Sequence, residues 1–363
     1  MLYTLKTQIM QELQRHYVTL ELPNLVEKPL AALEHWLFDR HLEQISIEKP
    51  IFIVGSHRSG TTVLYEALAK HPDLAYFSNS SAYLPKSPML AHMIGTALSQ
   101  DQLTLERFLK DGIGFNATTP SEGTRIWELH APNTDHYCLD ETYNNPEMER
   151  YLQQTIRKHL KYLKGQRFIN KNPDSSVRMR YLNKLFPDAY FIHIIRDGRA
   201  VCHSMMKSQD LAIEFFGADH RNVYGVKTRN SKKLLKLLAV DRLAAIGKSW
   251  CDVIETIDRD RQFIAPERYL EIRYEDFVQQ PFDYLCKISK FCNLSLDHVT
   301  HHIFQQEAQK LDLGTRNEAW KQKLSTEDLQ RLLPIIEPIM KKHGYAIADE
   351  LAIDHIEATA IAA

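Results

Sequence analysis

Short, nearly continuous apolar runs recur along the chain, and they predict buried strands. "IFIVG" (51–55) and "RFIN" (167–170) are two such runs, and the start of "AYFIHIIRDGRAVCHSMMKS" (189–208) is a third. Runs of this kind are typical of strands covered on both faces, as in a parallel sheet. We predict a fourth strand at "YLEIRYEDF" (269–277).

Between these runs, apolar residues recur at helical spacing. "TTVLYEALAKHP" predicts a helix ended by Pro72, "SVRMRYLNKLF" predicts a second helix, and another follows the third strand. A long helical stretch is predicted over residues 231–258, and helices fill most of the chain after the fourth strand. Strands that alternate with helices predict an α/β fold with a mainly parallel β-sheet flanked by helices.

The same pattern suggests how the chain is divided. Residues 1–48 predict an N-terminal helical extension of two helices separated by "ELPNL". Residues 49–347 form the main domain, in which segment 79–165 is an irregular insertion rich in Ser, Pro, Asn and His. Residues 348–363 are an Ala-rich tail.

Composition excludes several classes of protein. The chain has 363 residues, of which 44% are hydrophobic, and its formal net charge is -1. That balance argues against binding nucleic acid through overall charge, and the absence of a long apolar run predicts no membrane span. The five cysteines are scattered without a C-x-x-C pair, so we expect free thiols, no zinc site and a cytoplasmic protein.

The first strand leads into a glycine-containing loop, "GSHRSGTT", which predicts an anion site. Gly55 and Gly60 have the spacing of a triphosphate-binding P-loop, but Thr61 occupies the lysine position and the positive charge lies at Arg58. A strand, a glycine turn and a helix start direct several backbone N–H groups at one point. Arg58 adds a planar charged fork for phosphate or sulfate oxygens, and the hydroxyls of Thr61 and Thr62 add donors.

A second strand–helix junction repeats this chemistry. Arg196 ends the third strand, and Ser204 follows eight residues later on the next helix. Since ligands of doubly wound sheets bind at the carboxyl ends of strands, the two side chains are predicted to hold one phosphate in the same crevice as the first loop. The alternative is that Arg196 forms a structural salt bridge with Asp197 or Glu275.

"GSHRSGTT" together with "IIRDGRAVCHSM" resembles the sulfotransferases that use 3′-phosphoadenosine 5′-phosphosulfate, and the resemblance covers roughly residues 50–325. It implies a P-loop-like sheet whose first loop, Ser59 included, holds the 5′-phosphosulfate. It also implies that Arg196 and Ser204 hold the 3′-phosphate.

Three later segments extend the resemblance. "FINKNP" resembles the lysine-bearing strand end of the family, which implies a catalytic role for Lys171. "RYEDF" resembles the segment whose tyrosine lies near the adenine, here Tyr274. "GTRNEAWKQKLS" resembles the late loop over the 3′-phosphate, which implies Arg316 with Trp320 and Lys321 beside it.

The implied reaction is an in-line displacement in which an acceptor hydroxyl or amine attacks sulfur and adenosine 3′,5′-bisphosphate leaves. Arg58 and Lys171 are the residues expected to stabilise charge on the bridging oxygen. We expect no metal, because the transferred group carries less negative charge than a phosphoryl group. His57 is interpreted as an incidental loop residue.

The general base departs from the patterns of the family. One branch places a histidine where this chain has Pro173, and another places a glutamate near the positions of Ser78 and Asn79. Glu122 in "TTPSEGTRIWE" resembles a P-x-E segment of bacterial members and is therefore the first candidate. The other candidates in that region are Glu128, His130 and His136.

The sequence predicts a small-molecule, lipid or carbohydrate acceptor whose pocket is shaped by segment 79–165, and it leaves the oligomeric state open. Helix "NSKKLLKLL" (230–238) is interpreted as a solvated face with an apolar side. Two other functions remain open. One is a P-loop kinase or NTPase with a shifted cation, for which Asp197 would be the metal-binding acid. The other is a non-catalytic interaction protein that keeps a nucleotide-binding fold.

Overall fold

Five parallel strands form the central sheet of the chain. The structure, a computed structural model, describes residues 22–98, 105–106, 114–132, 134–216, 225–311 and 317–346. Its strands are β1 (Ile51–Val54), β2 (Leu74–Ala75), β3 (Leu105–Glu106), β4 (Gly114–Phe115), β5 (Arg167–Lys171), β6 (Tyr190–Ile195) and β7 (Tyr269–Arg273). The sheet has the order β2-β5-β1-β6-β7, and β3 and β4 pair separately as an antiparallel ribbon.

Helices account for most of the remaining described chain. They are α1 (Asn24–Phe38), α2 (Thr61–Leu68), α3 (Asn79–Tyr83), α4 (Pro88–Leu98), α5 (Thr124–Glu128), α6 (Pro146–Leu163), α7 (Met179–Leu185), α8 (Gly198–Phe216), α9 (Ser231–Leu238), α10 (Arg242–Asp260), α11 (Tyr274–Gln279), α12 (Pro281–Phe291), α13 (His298–Lys310), α14 (Ala319–Lys323) and α15 (Thr326–Lys342). The prediction of an α/β fold with a parallel sheet flanked by helices is confirmed.

Each face of the sheet has its own apolar layer, because alternate strand residues point to opposite faces. Phe52 and Phe191 pack on one face with their ring centroids 5.8 Å apart, beneath helices α6, α10 and α15. Ile53 and Ile192 point to the other face, beneath helices α2, α12 and α13. Burial on both sides explains why these strands contain continuous apolar runs.

The position of β1 in the sheet decides where the predicted loops meet. β1 lies between β5 and β6, with Ile53 opposite Lys171 and Val54 opposite His193. The segments that follow these three strands therefore leave the same edge of the sheet side by side. This edge is the crevice in which open α/β sheets bind ligands.

Two predicted elements end differently in the structure. The predicted strand 269–277 is wrong beyond Arg273, because Tyr274 begins α11. The predicted helical stretch 231–258 is two helices, α9 and α10, rather than one. The break occurs at Asp241, whose carboxylate accepts a hydrogen bond of 3.0 Å from the backbone N–H of Ala244 and so caps α10.

Other differences concern element boundaries. Helix α2 ends at Leu68, before Pro72, and the helix predicted from "SVRMRYLNKLF" begins as a three-ten turn, Pro173–Val177. Helix α1 corresponds to the second predicted N-terminal helix, whereas the first predicted helix and the tail 348–363 lie outside the described residues. Within the described part of the chain, no helix combines the length and the apolarity needed to cross a bilayer.

A buried ionic cluster anchors the end of α15 to β7. His343 lies 3.1 Å from Asp258 Oδ2 and 3.1 Å from Glu271 Oε1. Burial opposes the protonation of His343, but the hydrogen bonds to both carboxylates outweigh burial and raise its pKa to about 9. Among the described residues, Asp258, Glu271 and His343 are the one set of three whose side-chain atoms lie close enough together to hold a metal ion. The Lys342 ammonium, 2.5 Å from Asp258, already neutralises part of the negative charge of this cluster.

Candidate functional site

The first loop is held in a shape that requires both of its glycines. Gly55 has φ +150°, and a Cβ atom there would lie 2.5 Å from the carbonyl oxygen of Ile194. Gly60 has φ +91°, and its Cβ would lie 2.2 Å from the ring of Tyr274. Because neither position accommodates a side chain, the backbone can approach a bound anion closely at the start of α2.

Hydroxyl groups stabilise the turn from within. The backbone N–H of Gly55 donates to Ser176 Oγ at 2.9 Å, and that hydroxyl donates back to the carbonyl oxygen of Gly55. The hydroxyl of Ser59, a predicted donor-binding residue, donates to the carbonyl oxygen of Ser56 at 2.7 Å. Thr61 is buried and Thr62 is partly buried at the first turn of α2.

Arg58 connects the first loop to the second. Its Nε donates to Ser204 Oγ at 3.1 Å, and its carbonyl oxygen accepts a hydrogen bond of 3.0 Å from Arg196 Nη1. Arg58 adopts φ +63°, the left-handed region that is uncommon for a side-chain-bearing residue. The residues predicted to hold two different phosphates therefore contact one another directly.

Aromatic and polar side chains surround Arg196. Its guanidinium lies over the ring of Tyr274, 4.3 Å from the centroid, and its Nε donates to Asn317 Oδ1 at 2.9 Å. Burial lowers the pKa of Arg196, which starts high enough for the side chain to remain charged at neutral pH. Tyr274, predicted near the adenine, thus packs against Arg196, which is predicted to hold the 3′-phosphate.

Asp197 is the ionic partner of Arg199. The Arg199 guanidinium donates to both carboxylate oxygens of Asp197 at 2.7–3.1 Å and lies 4.1 Å above the ring of Trp320. Trp320 is 5% exposed and supports this corner from beneath. Lys321 pairs with Glu318 at 3.3 Å, and Arg316 lies outside the described residues.

Lys171 and Glu122 form an ion pair at the carboxyl end of β5. The side-chain amides of Asn170 and Asn172 each donate to the backbone carbonyl oxygen of Glu122 at 3.3 Å, which fixes the position of that segment. The Lys171 side chain is 3% exposed and that of Glu122 is 38% exposed. The structure therefore brings together two predicted catalytic residues that are 49 positions apart, with the carboxylate on the accessible side.

His57 lies in the electrostatic field of all three predicted catalytic side chains. Burial lowers its pKa to about 4; Glu122 opposes this shift, whereas Lys171 and Arg58 add to it. The imidazole is therefore neutral at physiological pH. The sequence analysis interprets His57 as incidental. It could not place His57 near Lys171, because that proximity arises only when β5 pairs with β1.

Two of the other base candidates have contacts elsewhere, whereas the buried Nδ1 of His136 has no hydrogen-bond partner among the described residues. Glu128 accepts a hydrogen bond of 2.7 Å from the Tyr137 hydroxyl. His130 lies 3.1 Å from a carboxylate oxygen of Glu147 at the start of α6. Of the four candidates, Glu122 forms the ion pair with Lys171.

Asp174 is an ionisable residue near the site that the sequence analysis missed. It is buried, and burial raises its pKa to about 7; Arg178 opposes the rise, and the negative charge of Glu122 adds to it. Asp174 lies in the three-ten turn three positions after Lys171. This closeness in sequence to a predicted catalytic residue is the signal that could have identified it.

A cavity of about 410 Å³ opens beside the first loop at Ser56 and His57. Helices α8, α9 and α10 supply most of its wall. From segment 79–165, predicted to shape the acceptor pocket, the lining residues are Thr134 and Asp135. The "NSKKLLKLL" segment, interpreted as a solvated face, borders this cavity through its apolar side.

Comparison with known proteins gives a consistent assignment. The model of the sulfotransferase family matches residues 50–298. Omega-hydroxy-beta-dihydromenaquinone-9 sulfotransferase Stf3 of Mycobacterium bovis is 23% identical over 275 residues, which cover 71% of this chain and 66% of that protein. Human protein-tyrosine sulfotransferase 1 is 25% identical over 304 residues, which cover 81% of this chain and 69% of that protein.

Solved structures show the same fold. Sulfotransferase STF9 from Mycobacterium avium has a TM-score of 0.56 at 16% identity, covering 88% of this chain and 84% of that one. STF1 from Mycobacterium tuberculosis has a TM-score of 0.52 at 15% identity, covering 91% of this chain and 86% of that one. The chain thus spans slightly less than two thirds of the Stf3 relative but most of the length of these structural neighbours.

Proposed function

The chain belongs to the sulfotransferase family, and we propose that it transfers the sulfuryl group of 3′-phosphoadenosine 5′-phosphosulfate to a hydroxyl group or an amine of a small-molecule, lipid or carbohydrate acceptor. The observation that carries this proposal is the direct contact of the two anion-binding segments through Arg58, Ser204 and Arg196. A donor with phosphate groups at both its 5′ and 3′ positions needs two anion positions within one site.

The donor would lie across the ends of β1 and β6. The first loop, from Ser59 to Thr62, would hold the 5′-phosphosulfate with backbone N–H groups at the start of α2. Arg196 and Ser204 would hold the 3′-phosphate, and Tyr274 would lie beside the nucleoside. Trp320 and Lys321 would support the second position from the late segment.

The transfer step would use the ion pair of Lys171 and Glu122. An acceptor oxygen forms a bond to sulfur as the bond from sulfur to the bridging phosphate oxygen breaks, and the acceptor proton passes to Glu122. Once Glu122 is neutral, its attraction for Lys171 weakens. The ammonium charge of Lys171, with the guanidinium charge of Arg58, then becomes available to the leaving phosphate of adenosine 3′,5′-bisphosphate.

The two competing functions find less support. A kinase or NTPase would need Asp197 to bind a metal ion, but this carboxylate already accepts hydrogen bonds from Arg199 on both oxygens. An interaction protein without catalysis would give no reason for the ion pair between Lys171 and Glu122 beside the first loop.

A cytoplasmic location is part of the proposal. Its support is that all five cysteines, Cys138, Cys202, Cys251, Cys286 and Cys292, are free thiols.

Thermal unfolding with ligands tests the proposal. Adenosine 3′,5′-bisphosphate at about one hundred times its Kd should stabilise the protein by about 2.7 kcal/mol. ATP with magnesium at the same concentration should stabilise it less, and transfer of labelled sulfate from the donor to an acceptor should follow. Stabilisation by ATP with magnesium alone would refute the proposal and favour a kinase.

A further inference from the structure

Helix α15 ends in a tight turn that fixes the path of the residues after it. Gly344 has φ +72°, and its backbone N–H donates to the carbonyl oxygen of Lys341. The backbone N–H of Tyr345 donates to the carbonyl oxygen of Met340 at 2.9 Å. This pair of hydrogen bonds is the Schellman motif, in which a glycine adopts the left-handed conformation just after a helix. The turn therefore determines the direction in which Tyr345 leaves the helix.

The side chain of Tyr345 is held by its ring and by its hydroxyl. The ring is 9% exposed, and the Arg273 guanidinium lies over it, 4.6 Å from the centroid. The hydroxyl donates to Glu275 Oε2 at 3.0 Å. Burial, followed by the negative charge of Glu275, raises the pKa of Tyr345, so the hydroxyl keeps its proton and remains a donor at physiological pH.

Glu275 joins segments of the chain that are far apart in sequence. Its Oε1 accepts hydrogen bonds from the backbone N–H of Asp197 at 3.1 Å and from Nδ2 of Asn317 at 3.4 Å. These donors come from the segments before α8 and α14, whereas Tyr345 comes from the turn after α15. An ionised carboxylate only accepts hydrogen bonds and has several lone pairs, so Glu275 can hold these donors at the same time.

The contact with Glu275 sets the orientation of the Asn317 amide. An amide has a donor end and an acceptor end, and the donor end must face the carboxylate. The oxygen Oδ1 then faces away from Glu275, and it accepts a hydrogen bond of 2.9 Å from Arg196 Nε. If the amide turned over, oxygen would face oxygen at Glu275 and N–H would face N–H at Arg196. Glu275 therefore controls which end of Asn317 meets Arg196.

We propose that Tyr345 is a positioning residue for the 3′-phosphate of the donor. It acts on the Arg196 guanidinium through Glu275 and Asn317. The inference rests on the proposed function, because that function assigns the 3′-phosphate to Arg196. Arg196 Nε donates to Asn317 and its Nη1 donates to the carbonyl oxygen of Arg58, so two contacts orient the guanidinium plane. Because arginine binds phosphate through a rigid planar fork, the orientation of that plane affects how tightly it binds.

Removing the Tyr345 hydroxyl tests this relay while keeping the ring. Isothermal titration calorimetry on the full chain would compare adenosine 3′,5′-bisphosphate with adenosine 5′-monophosphate, which lacks the 3′-phosphate. The ratio of monophosphate Kd to bisphosphate Kd should fall by about 2- to 10-fold from the wild type to Tyr345→Phe, the change expected for one hydrogen bond. The monophosphate Kd itself should stay within about twofold of the wild type, because this ligand has no group for the oriented guanidinium to bind.

A matched control and a double-mutant cycle separate positioning from general destabilisation. Tyr284→Phe removes a hydroxyl that donates to Asp276 Oδ2 at 3.3 Å, outside the relay, and it should leave the ratio unchanged. Asn317→Ala should lower the ratio at least as much as Tyr345→Phe does. Adding Tyr345→Phe to Asn317→Ala should lower it no further, because the amide through which the hydroxyl acts is already gone.

The outcomes distinguish this inference from the proposed function. If the wild type prefers the bisphosphate but Tyr345→Phe leaves the ratio unchanged, or weakens both ligands equally, the positioning role is refuted and the proposed function stands. If Tyr345→Phe and Asn317→Ala have additive effects on the ratio, the route through Asn317 is refuted. If the wild type binds the two nucleotides equally tightly, the 3′-phosphate site itself fails, and the positioning role fails with it.

Discussion

Substituting Gly60 by alanine should destabilise the protein through a clash with one identifiable ring. The new Cβ would lie 2.2 Å from Cδ2 of Tyr274, well inside van der Waals contact. Tyr274 is 4% exposed and lies beneath the Arg196 guanidinium, so its ring cannot turn away into solvent. The clash alone should cost about 1–3 kcal/mol, as overpacking of a core usually does.

A second cost comes from the backbone of residue 60. Its φ of +91° is unfavourable for any residue with a Cβ, which adds about 1–3 kcal/mol. Gly60→Ala should therefore lower the free energy of unfolding by about 2–6 kcal/mol in total. Gly225→Ala is the matched control: Gly225 has φ +138°, and a Cβ there would meet no atom of the described residues within 4 Å, so this variant reports the backbone cost.

A double-mutant cycle isolates the clash. In urea unfolding, Gly60→Ala combined with Tyr274→Ala should be less destabilising than the sum of the two single changes by about 1–3 kcal/mol, because removing the ring removes the contact. Tyr274→Phe keeps the ring and should give no relief. Additive single effects, within about 0.5 kcal/mol, would refute the steric explanation.

Three further predictions concern charge. Arg196→Ala should weaken binding of adenosine 3′,5′-bisphosphate by about 10- to 100-fold and Ser204→Ala by about 2- to 10-fold, measured by calorimetry; unchanged affinities would remove both from the second anion position. Glu122→Gln should lower kcat by about 100- to 10,000-fold with little change in donor Kd, and a kcat within about threefold of wild type would assign the base elsewhere. Because the pKa of His343 is raised to about 9, its protonated form stabilises the fold, and this stabilisation is complete below about pH 6.5 and lost as pH rises through about 9. The free energy of unfolding, measured by chemical denaturation, should therefore decline by up to about 3 kcal/mol over this range, and His343→Gln should abolish the decline. A decline of equal size in His343→Gln would attribute the pH dependence to another group.

The strands at the centre of the sheet are predictable because burial on both faces leaves a local trace. β1 and β6 are continuous apolar runs bounded by turns, and the sequence predicts both at nearly their observed positions. β2 spans only two residues and lies at an edge of the sheet, so it carries no recognisable pattern. Tyr274 continues the apolar alternation of β7 although the chain turns into a helix there.

The site is predictable to the extent that it follows from strand ends. The proximity of Arg58, Arg196 and Ser204 follows from two parallel strands lying side by side. The cavity beside the first loop does not follow in this way, since its wall comes from helices whose packing depends on contacts distant in sequence. That is why the residues that these helices contribute to the cavity wall carry no functional signal in the sequence.

The hydrogen bond between Arg58 and Ser204 has a consequence for donor selection. Arg58 Nε donates to Ser204 Oγ across the two loops, and Arg196 Nη1 donates to the carbonyl oxygen of Arg58. An anion that accepts a hydrogen bond from Arg58 Nε must displace Ser204 from it. Under the proposed function, a ligand with oxygen atoms for both loops would replace the internal bond with several new ones, so we expect it to bind more tightly than a singly phosphorylated nucleotide.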